Sequence, residues 1–194
     1  MRIFIAVEIP KPVKEKISQI QQELKGEVAK IKWVNPELVH FTLKFLGEIS
    51  EEGLKKVKEV TLQIARESNP FTLNIKGMGV FPSYSSPRVI WMGVDKGKEA
   101  IGKLAEKLDK NLSKEGFIKE KREWVPHLTI GRVKFLREKG KLKELICSRE
   151  KIEIGEVKVK SLSIIQSHLT SKGSIYKTLG EFHFAVSESG KRGN

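Results

Sequence analysis

The chain has 194 residues, 39% of them hydrophobic and 31% charged, a composition that suits a globular protein with a sizeable core. Its formal net charge is +13, and its single cysteine excludes both an internal disulfide and a multi-cysteine metal site. The charge has two interpretations. One is a polyanionic partner such as nucleic acid or an anionic membrane surface, and the other is a solvated, Lys-rich surface of the kind found in thermophiles.

The first half of the chain alternates strand and helix patterns. We predict strands over residues 2–9, 31–34, 39–46 and 71–81, and helices over 12–27 and 50–67, with Ser50 as an N-cap. The apolar start is short and carries Glu8, so it predicts a strand rather than a secretion signal. No apolar run approaches the ~20 residues that a membrane-spanning helix needs, and we expect a cytoplasmic protein that makes no use of a membrane.

After a Ser- and Pro-containing loop over 82–87, the same order of elements starts again. We predict strands over 88–94 and 123–133, helices over 98–115 and 138–148, a long strand or a pair of strands over 152–166, and a last strand over 175–184. Cys147 falls in an apolar helical pattern, which predicts a buried, unreactive thiol. Residues 187–194 form a polar tail that we expect to be flexible.

Two short runs, His40-Phe41-Thr42-Leu43 and His127-Leu128-Thr129-Ile130, share one pattern and lie 87 residues apart. The strands that open the two halves are offset by nearly the same distance, which indicates an internal duplication. We therefore predict one α+β domain over 1–186, with pseudo-repeat halves of about 1–87 and 88–186. Each lobe should be a mainly antiparallel sheet with helices on its outer face, and the two His-Thr strands should meet at a central cleft on a pseudo-twofold axis.

In a strand, His and Thr two residues apart share one face, while the apolar pair between and after them shares the other. Two such strands would bring two imidazoles and two hydroxyls to one cleft. Histidine has an unperturbed pKa near ~6.5, so one imidazole can accept a proton while the other donates one. Thr42 and Thr129 can donate hydrogen bonds to the oxygens of a phosphate. This chemistry suits a cyclic 2′,3′-phosphate and requires no metal, but the symmetric motifs leave open which histidine is the acid.

Other residues are weaker candidates. Arg132 and Arg88 suit phosphate binding, although Arg132 points away from the His127 face if the strand is regular, and a bulge at Gly131 would change that. Phe81 and Tyr84 are candidates for stacking on a nucleobase. The remaining histidines, His168 and His183, lack a threonine partner and are predicted to be structural or surface residues, and the tryptophans at positions 33, 91 and 124 are predicted to fill cores or cleft walls.

Several segments together resemble the two-histidine phosphoesterase superfamily, and within it the RNA 2′,3′-cyclic phosphodiesterases, also called 2′-5′ RNA ligases. The resemblance covers nearly the whole chain. It is carried by the segments 2–7, 40–47, 79–82, 87–91, 126–132 and 166–176.

The resemblance implies metal-free hydrolysis of RNA 2′,3′-cyclic phosphate ends to 2′-phosphates, with a reversible ability to join RNA ends such as tRNA halves. It implies that His40 is the proton donor and His127 the proton acceptor, and it adds Tyr176 as a substrate-binding candidate. No cofactor is expected, and we expect a monomer. Two alternatives stay open, which are a non-catalytic module that binds RNA ends and a sister enzyme acting on another cyclic phosphate.

Overall fold

A computed structural model describes residues 1–26, 29–171 and 173–185. The helices are α1 (Lys11–Glu23), α2 (Glu51–Arg66), α3 (Lys98–Lys114) and α4 (Lys139–Cys147). The strands are β1 (Arg2–Glu8), β2 (Ala29–Trp33), β3 (His40–Glu48), β4 (Phe71–Phe81), β5 (Val89–Val94), β6 (Leu128–Leu136), β7 (Glu153–Val159), β8 (Ser161–Thr170) and β9 (Gly173–His183). The α+β class is confirmed. The predicted end of the first helix at Glu27 and the polar tail lie outside the described residues.

The strands form two antiparallel sheets, and each sheet takes strands from both halves of the sequence. The first sheet has the order β3-β1-β8-β9 and the second the order β2-β6-β5-β4-β7. The equivalent pairs β1–β3 and β5–β6 stand at corresponding places, one in each sheet. Neither sheet is therefore built from one half alone, because β4 joins the second sheet and the β8–β9 hairpin joins the first.

Strand β1 is apolar at nearly every position because both of its faces are covered. Ile3, Ile5 and Val7 belong to the main hydrophobic core. Phe4 and Ala6 point to the opposite face, where they form a small second cluster with Ile165. A strand buried on both sides loses the polar–apolar alternation of a half-exposed strand, and the second face of β1 is the floor of the site described below.

Helices cover the sheets on the main-core side. Helices α2 and α3 pack on strands of the first sheet, whereas α1 contacts β7 and α4 contacts β4 in the second. The predicted cap of α2 is confirmed, since the Ser50 side chain accepts a hydrogen bond from the backbone N–H of Gly53 at 3.1 Å. No helix within the described ranges has the length and apolar character needed to cross a bilayer.

The prediction for Cys147 is wrong, because its side chain is exposed. In α4 the buried positions are Leu142 and Ile146, four residues apart on one face of the helix. Cys147 follows Ile146 by one residue and is therefore rotated by about 100° away from that face.

The strand predicted over 123–133 begins later, at Leu128, and continues to Leu136. Pro126 lacks the N–H that a paired strand residue donates, which accounts for the late start. The loop before β6 is held by a largely buried ion pair between Lys44 on β3 and Asp109 on α3. Lys44 also donates to the carbonyl of Ile118, and Asp109 accepts the backbone N–H of Glu120 at 2.9 Å. The segment that leads to His127 is thus fastened to the strand that begins with His40.

Candidate active site

A cleft of about 490 Å³ lies where β3 of the first sheet faces β6 of the second. The side chains of His40, Thr42, His127 and Thr129 all line it. The residues between and after them, Phe41 and Leu43 on β3 and Leu128 and Ile130 on β6, are at most 3% exposed and belong to the main core. The fold thus anchors each His-Thr pair from behind and places both pairs in one cavity.

The two histidines are oriented in the same way. The Nδ1 of His40 lies 2.7 Å from the carbonyl oxygen of Leu38, and the Nδ1 of His127 lies 2.8 Å from that of Val125. In both cases the acceptor is the carbonyl two residues earlier in the chain. Because a carbonyl only accepts, each contact requires a proton on Nδ1 and leaves Nε2 as the nitrogen available for proton transfer.

The surroundings of the two imidazoles differ. The ring of His40 stacks on Phe4 with 4.7 Å between centroids, and it meets the edge of Tyr176 at 5.5 Å. Burial lowers the pKa of His40 below its usual value, and the hydrogen bond to the Leu38 carbonyl opposes that shift. The Nε2 of this neutral imidazole accepts a hydrogen bond from the Thr42 hydroxyl at 2.9 Å.

His127 has fewer aromatic contacts than His40 among the described residues. Its ring meets Phe81 edge-on at 5.1 Å, and Phe81 in turn stacks on Trp91 at 5.0 Å. No side-chain hydrogen bond is recorded for its Nε2 within the described part of the chain. His127 is therefore the less enclosed of the two imidazoles.

Both His-Thr strands carry a β-bulge at the same place in the repeat. In β3, Thr42 pairs with Ala6 but Lys44 pairs with the adjacent Ile5, so Leu43 is the extra residue. In β6, Thr129 pairs with Trp91 but Gly131 pairs with the adjacent Ile90, so Ile130 is the extra residue. A bulge changes the face that later residues occupy.

Because of these bulges, Phe45 and Arg132, each three residues after a threonine, line the same cleft as the histidines. The strand is therefore not regular before Arg132, and a bulge brings this residue to the His127 face, with Ile130 rather than Gly131 as the extra residue. Phe45 is the equivalent of Arg132 in the first half. The cleft is symmetric in its histidines and threonines but has an arginine on one side and an aromatic ring on the other.

Each of these strands receives a hydrogen bond from a side chain of a distant segment. The buried amide of Gln21, on α1, donates to the carbonyl of the bulged Ile130 at 2.9 Å and to that of Val34 at 2.8 Å. On the other strand, the indole N–H of Trp124 donates to the carbonyl of Thr42 at 3.0 Å. Two different side chains thus fix the two halves of the cleft.

The remaining predicted residues fall into two groups. Tyr176 lines the cleft, where burial raises its pKa and the positive charges of Arg132 and Arg2 oppose that shift. Phe81 contacts the cleft through His127. Tyr84 instead lies against Cys147 at the end of α4, and Arg88 is an exposed residue before β5; neither lines the cleft.

Sequence reasoning did not single out several cleft residues. They are Arg2, Phe4, Phe45, Ser167, Leu169 and Ser174. Phe4 could have been found, because a strand apolar on both faces must cover something with its second face. Leu169 and Ser174 lie on the β8–β9 hairpin, whose approach to β1 depends on pairing across most of the chain.

Among the described ranges no three His, Cys, Asp or Glu side chains are grouped as ligands for a metal ion. The polar groups of the cleft are instead imidazole, hydroxyl and guanidinium, all of which can contact a phosphate.

A duplicated fold with one histidine from each half in a shared cleft is that of a two-histidine phosphoesterase. The family described as LigT like Phosphoesterase matches the sequence twice, over residues 7–91 and 93–176, and the chain belongs to this family. The second match begins 86 residues after the first, in agreement with the spacing of the repeat.

Curated relatives carry one name. Proteins from Methanothermobacter thermautotrophicus and Methanocaldococcus jannaschii, both named RNA 2′,3′-cyclic phosphodiesterase, are each 40% identical over 182 residues. The alignments cover 94% of this chain and 98% and 100% of the two relatives. A crystal structure from Thermus thermophilus superposes with a TM-score of 0.82 at 27% identity, over 96% of this chain and all of that one. Escherichia coli LigT complexed with 3′-AMP has a TM-score of 0.76 at 22% identity, over 94% and 97% of the two chains, and shares the fold.

Proposed function

We propose that this protein hydrolyses the 2′,3′-cyclic phosphate end of RNA to a 2′-phosphate without a metal ion. The observation that carries the proposal is that two imidazoles, each with Nδ1 bound to a backbone carbonyl, share one cleft with two threonine hydroxyls and an arginine. Relatives that match nearly the full chain are named RNA 2′,3′-cyclic phosphodiesterase, which supports the proposed substrate.

The proposed reaction divides proton transfer between the two histidines. The Nε2 of His127 accepts a proton from water as the water oxygen attacks phosphorus. The bond between phosphorus and the 3′ oxygen breaks, and the Nε2 of His40 donates a proton to that oxygen. Thr42, Thr129 and Arg132 hydrogen-bond to the non-bridging oxygens, whose charge is stabilised in the transition state. In the reverse direction the two histidines exchange roles.

The acid role of His40 requires that a proton arrive with the substrate, because burial lowers the pKa of this imidazole and favours its neutral form in the free protein. An anionic phosphate next to Nε2 favours the imidazolium and raises its pKa. The Thr42 hydroxyl, which donates to neutral Nε2 in the free protein, is then released to bind a phosphate oxygen. Substrate binding and protonation of His40 are therefore coupled in this mechanism.

The proposed substrate is RNA, for which the net charge of +13 is favourable. We further propose that the protein acts as a monomer in the cytoplasm, and that tRNA halves are among the RNAs whose ends it processes or joins. A monomer fits a site whose two histidines come from one chain.

The deciding experiment incubates a short RNA that ends in a 2′,3′-cyclic phosphate with the protein in EDTA, and locates the product phosphate by NMR and phosphatase treatment. We expect conversion to the 2′-phosphate. A 3′-phosphate product would contradict the assignment of the leaving oxygen, and RNA that is bound but unchanged would favour the non-catalytic module. Loss of turnover in EDTA, restored by a metal ion, would contradict the metal-free mechanism.

A further inference from the structure

A second groove of about 540 Å³ adjoins the catalytic cleft and shares Phe45 with it. The groove runs between the end of β3 and the loop that joins α3 to β6. Phe45, Leu46 and Gly47 form one side, and residues 117–122 form the other. Phe45 therefore borders both cavities.

Phe45 is an unusual residue for this position. Its side chain is 51% exposed although it lies in the middle of a strand. The guanidinium of Arg2 lies 5.0 Å from the centre of the ring and covers one face. An aromatic ring that is held in place on one side and open to solvent on the other is a suitable platform for a nucleobase.

The far side of the groove is basic. Lys119, Lys121 and Arg122 are all exposed, and none is among the ion pairs recorded for the described residues. The one acidic side chain in residues 117–122 is that of Glu120. It accepts hydrogen bonds from the backbone N–H groups of Lys121 and Arg122 at 2.9 and 3.1 Å, and so stabilises the loop. Phe117 and the 86% exposed Ile118 add apolar surface between the charges.

Cations interleaved with apolar and aromatic side chains are typical of surfaces that bind single-stranded nucleic acid, where bases stack and cations contact phosphates. A cyclic phosphate stands at the 3′ end of RNA, so the rest of the strand must leave the cleft on the 5′ side. We propose that the groove binds the nucleotides preceding the reacting end, with a base on Phe45 and backbone phosphates on Lys119, Lys121 and Arg122. The identity of this ligand rests on the proposed function.

The binding test uses a fluorescent RNA of about six nucleotides that ends in a 2′-phosphate, which is the product and is not consumed. Its anisotropy is measured over a range of salt concentrations. In the variant Lys119→Ala/Lys121→Ala/Arg122→Ala, three phosphate contacts are removed. We therefore expect the negative slope of log K for association against log salt concentration to become shallower by about 2. The matched control is Lys151→Ala/Lys158→Ala/Lys160→Ala, which removes the same charge around β7, an edge strand of the second sheet that two strands separate from β6.

Phe45 is tested separately. We expect Phe45→Ala to weaken binding of the RNA by about tenfold, and Phe45→Trp to restore it, because a larger ring keeps the stacking surface. A merely structural role would make the tryptophan at least as harmful as the alanine. Equal slopes in the groove variant and the β7 control, or no loss in Phe45→Ala, would overturn the proposal.

A parallel assay separates this inference from the proposed function. A nucleoside 2′,3′-cyclic phosphate has no preceding nucleotides, so its hydrolysis reports on the catalytic cleft. The ratio of kcat/KM for the cyclic-ended RNA to that for the nucleoside should fall in the groove variant and stay at the wild-type value in the β7 control. If the wild type hydrolyses the nucleoside but the ratio does not fall, the groove inference alone fails. If the wild type hydrolyses neither while the groove variant still lowers RNA affinity, the proposed function alone fails.

Discussion

The two His-Thr strands have the same backbone but different surroundings. Each histidine donates from Nδ1 to the carbonyl two residues earlier, and each strand has a bulge at the residue after the threonine. His40, however, is packed between Phe4 and Tyr176, whereas the one aromatic contact of His127 among the described residues is with the edge of Phe81. The difference teaches that duplication accounts for the pairing of the two imidazoles, while non-equivalent neighbours bury His40 and lower its pKa.

The largest effect is expected from the histidines themselves. His40→Ala and His127→Ala should each lower kcat by about 10²- to 10⁴-fold, because each removes one proton-transfer group. Steady-state kinetics on the cyclic-ended RNA checks this, with circular dichroism to show that the fold is kept. His183→Ala is the matched control, since that histidine is exposed and outside the cleft. A fall in kcat of less than about tenfold in either variant would remove the basis of the paired mechanism.

The threonines should have a smaller effect and should reveal the asymmetry. Thr42→Val and Thr129→Val should each lower kcat by about 10²-fold through loss of a donor to the phosphate oxygens, whereas Thr→Ser variants should retain most of the activity. Thr42→Val also removes the hydrogen bond that stabilises neutral His40, so the pKa of His40 should rise. An NMR titration of the imidazoles follows this, and equal responses of both histidines to their threonine variants would contradict the asymmetry.

Stability should distinguish the two strand anchors. Gln21→Met removes a buried amide that serves the carbonyls of Val34 and Ile130, which should cost about 1–3 kcal/mol of unfolding free energy. Trp124→Phe removes a single hydrogen bond to the Thr42 carbonyl and should cost about 1 kcal/mol. Urea unfolding measures both. A larger loss for Trp124→Phe would mean that the β3 side, rather than the bulge of β6, depends more on its distant side chain.

The smallest expected effect is on the pH dependence of stability. The pKa of His40 is lowered in the folded protein. As the pH falls, the imidazole of the unfolded chain is therefore protonated before that of the folded protein, which favours unfolding. The resulting destabilisation is absent above the unperturbed value of 6.5, and stability is lost as the pH falls from there towards the lowered pKa. His40→Gln should have a flatter profile in this window, measured as the midpoint of urea unfolding. Parallel stability profiles of the wild type and His40→Gln would contradict a lowered pKa of His40 in the folded protein.

Much of the molecule follows from local patterns in the sequence. The alternation in residues 40–43 and 127–130 was sufficient to predict two anchored His-Thr pairs, because a strand has only two faces. The N-cap at Ser50 was predictable from local chemistry in the same way. The exposure of Cys147 was not predictable in this way. The residue lies in an apolar stretch of sequence, but it follows the buried Ile146 by one position and therefore lies on another face of the helix.

Features that depend on distant pairing were harder to predict. The exchange of β4 and of the β8–β9 hairpin between the sheets leaves no local mark, and neither does the bulge at Leu43. The bulge at Ile130 is indicated locally only by the glycine that follows it. These bulges bring Phe45 and Arg132 into the cleft. Tyr84 has an aromatic side chain suited to stacking on a nucleobase, yet it lies against Cys147 of α4 instead.

The exchange of strands between the two sheets has a consequence for synthesis on the ribosome. The first sheet cannot be completed until β8 and β9 have been made, although β1 and β3 emerge well before them. A nascent chain that ends after the first half therefore exposes the apolar faces of β1 and lacks Tyr176 beside His40. The capacity to act on a substrate should arise only after β9 has been made, and a chain that stops earlier should be a target for chaperones rather than a partly working enzyme.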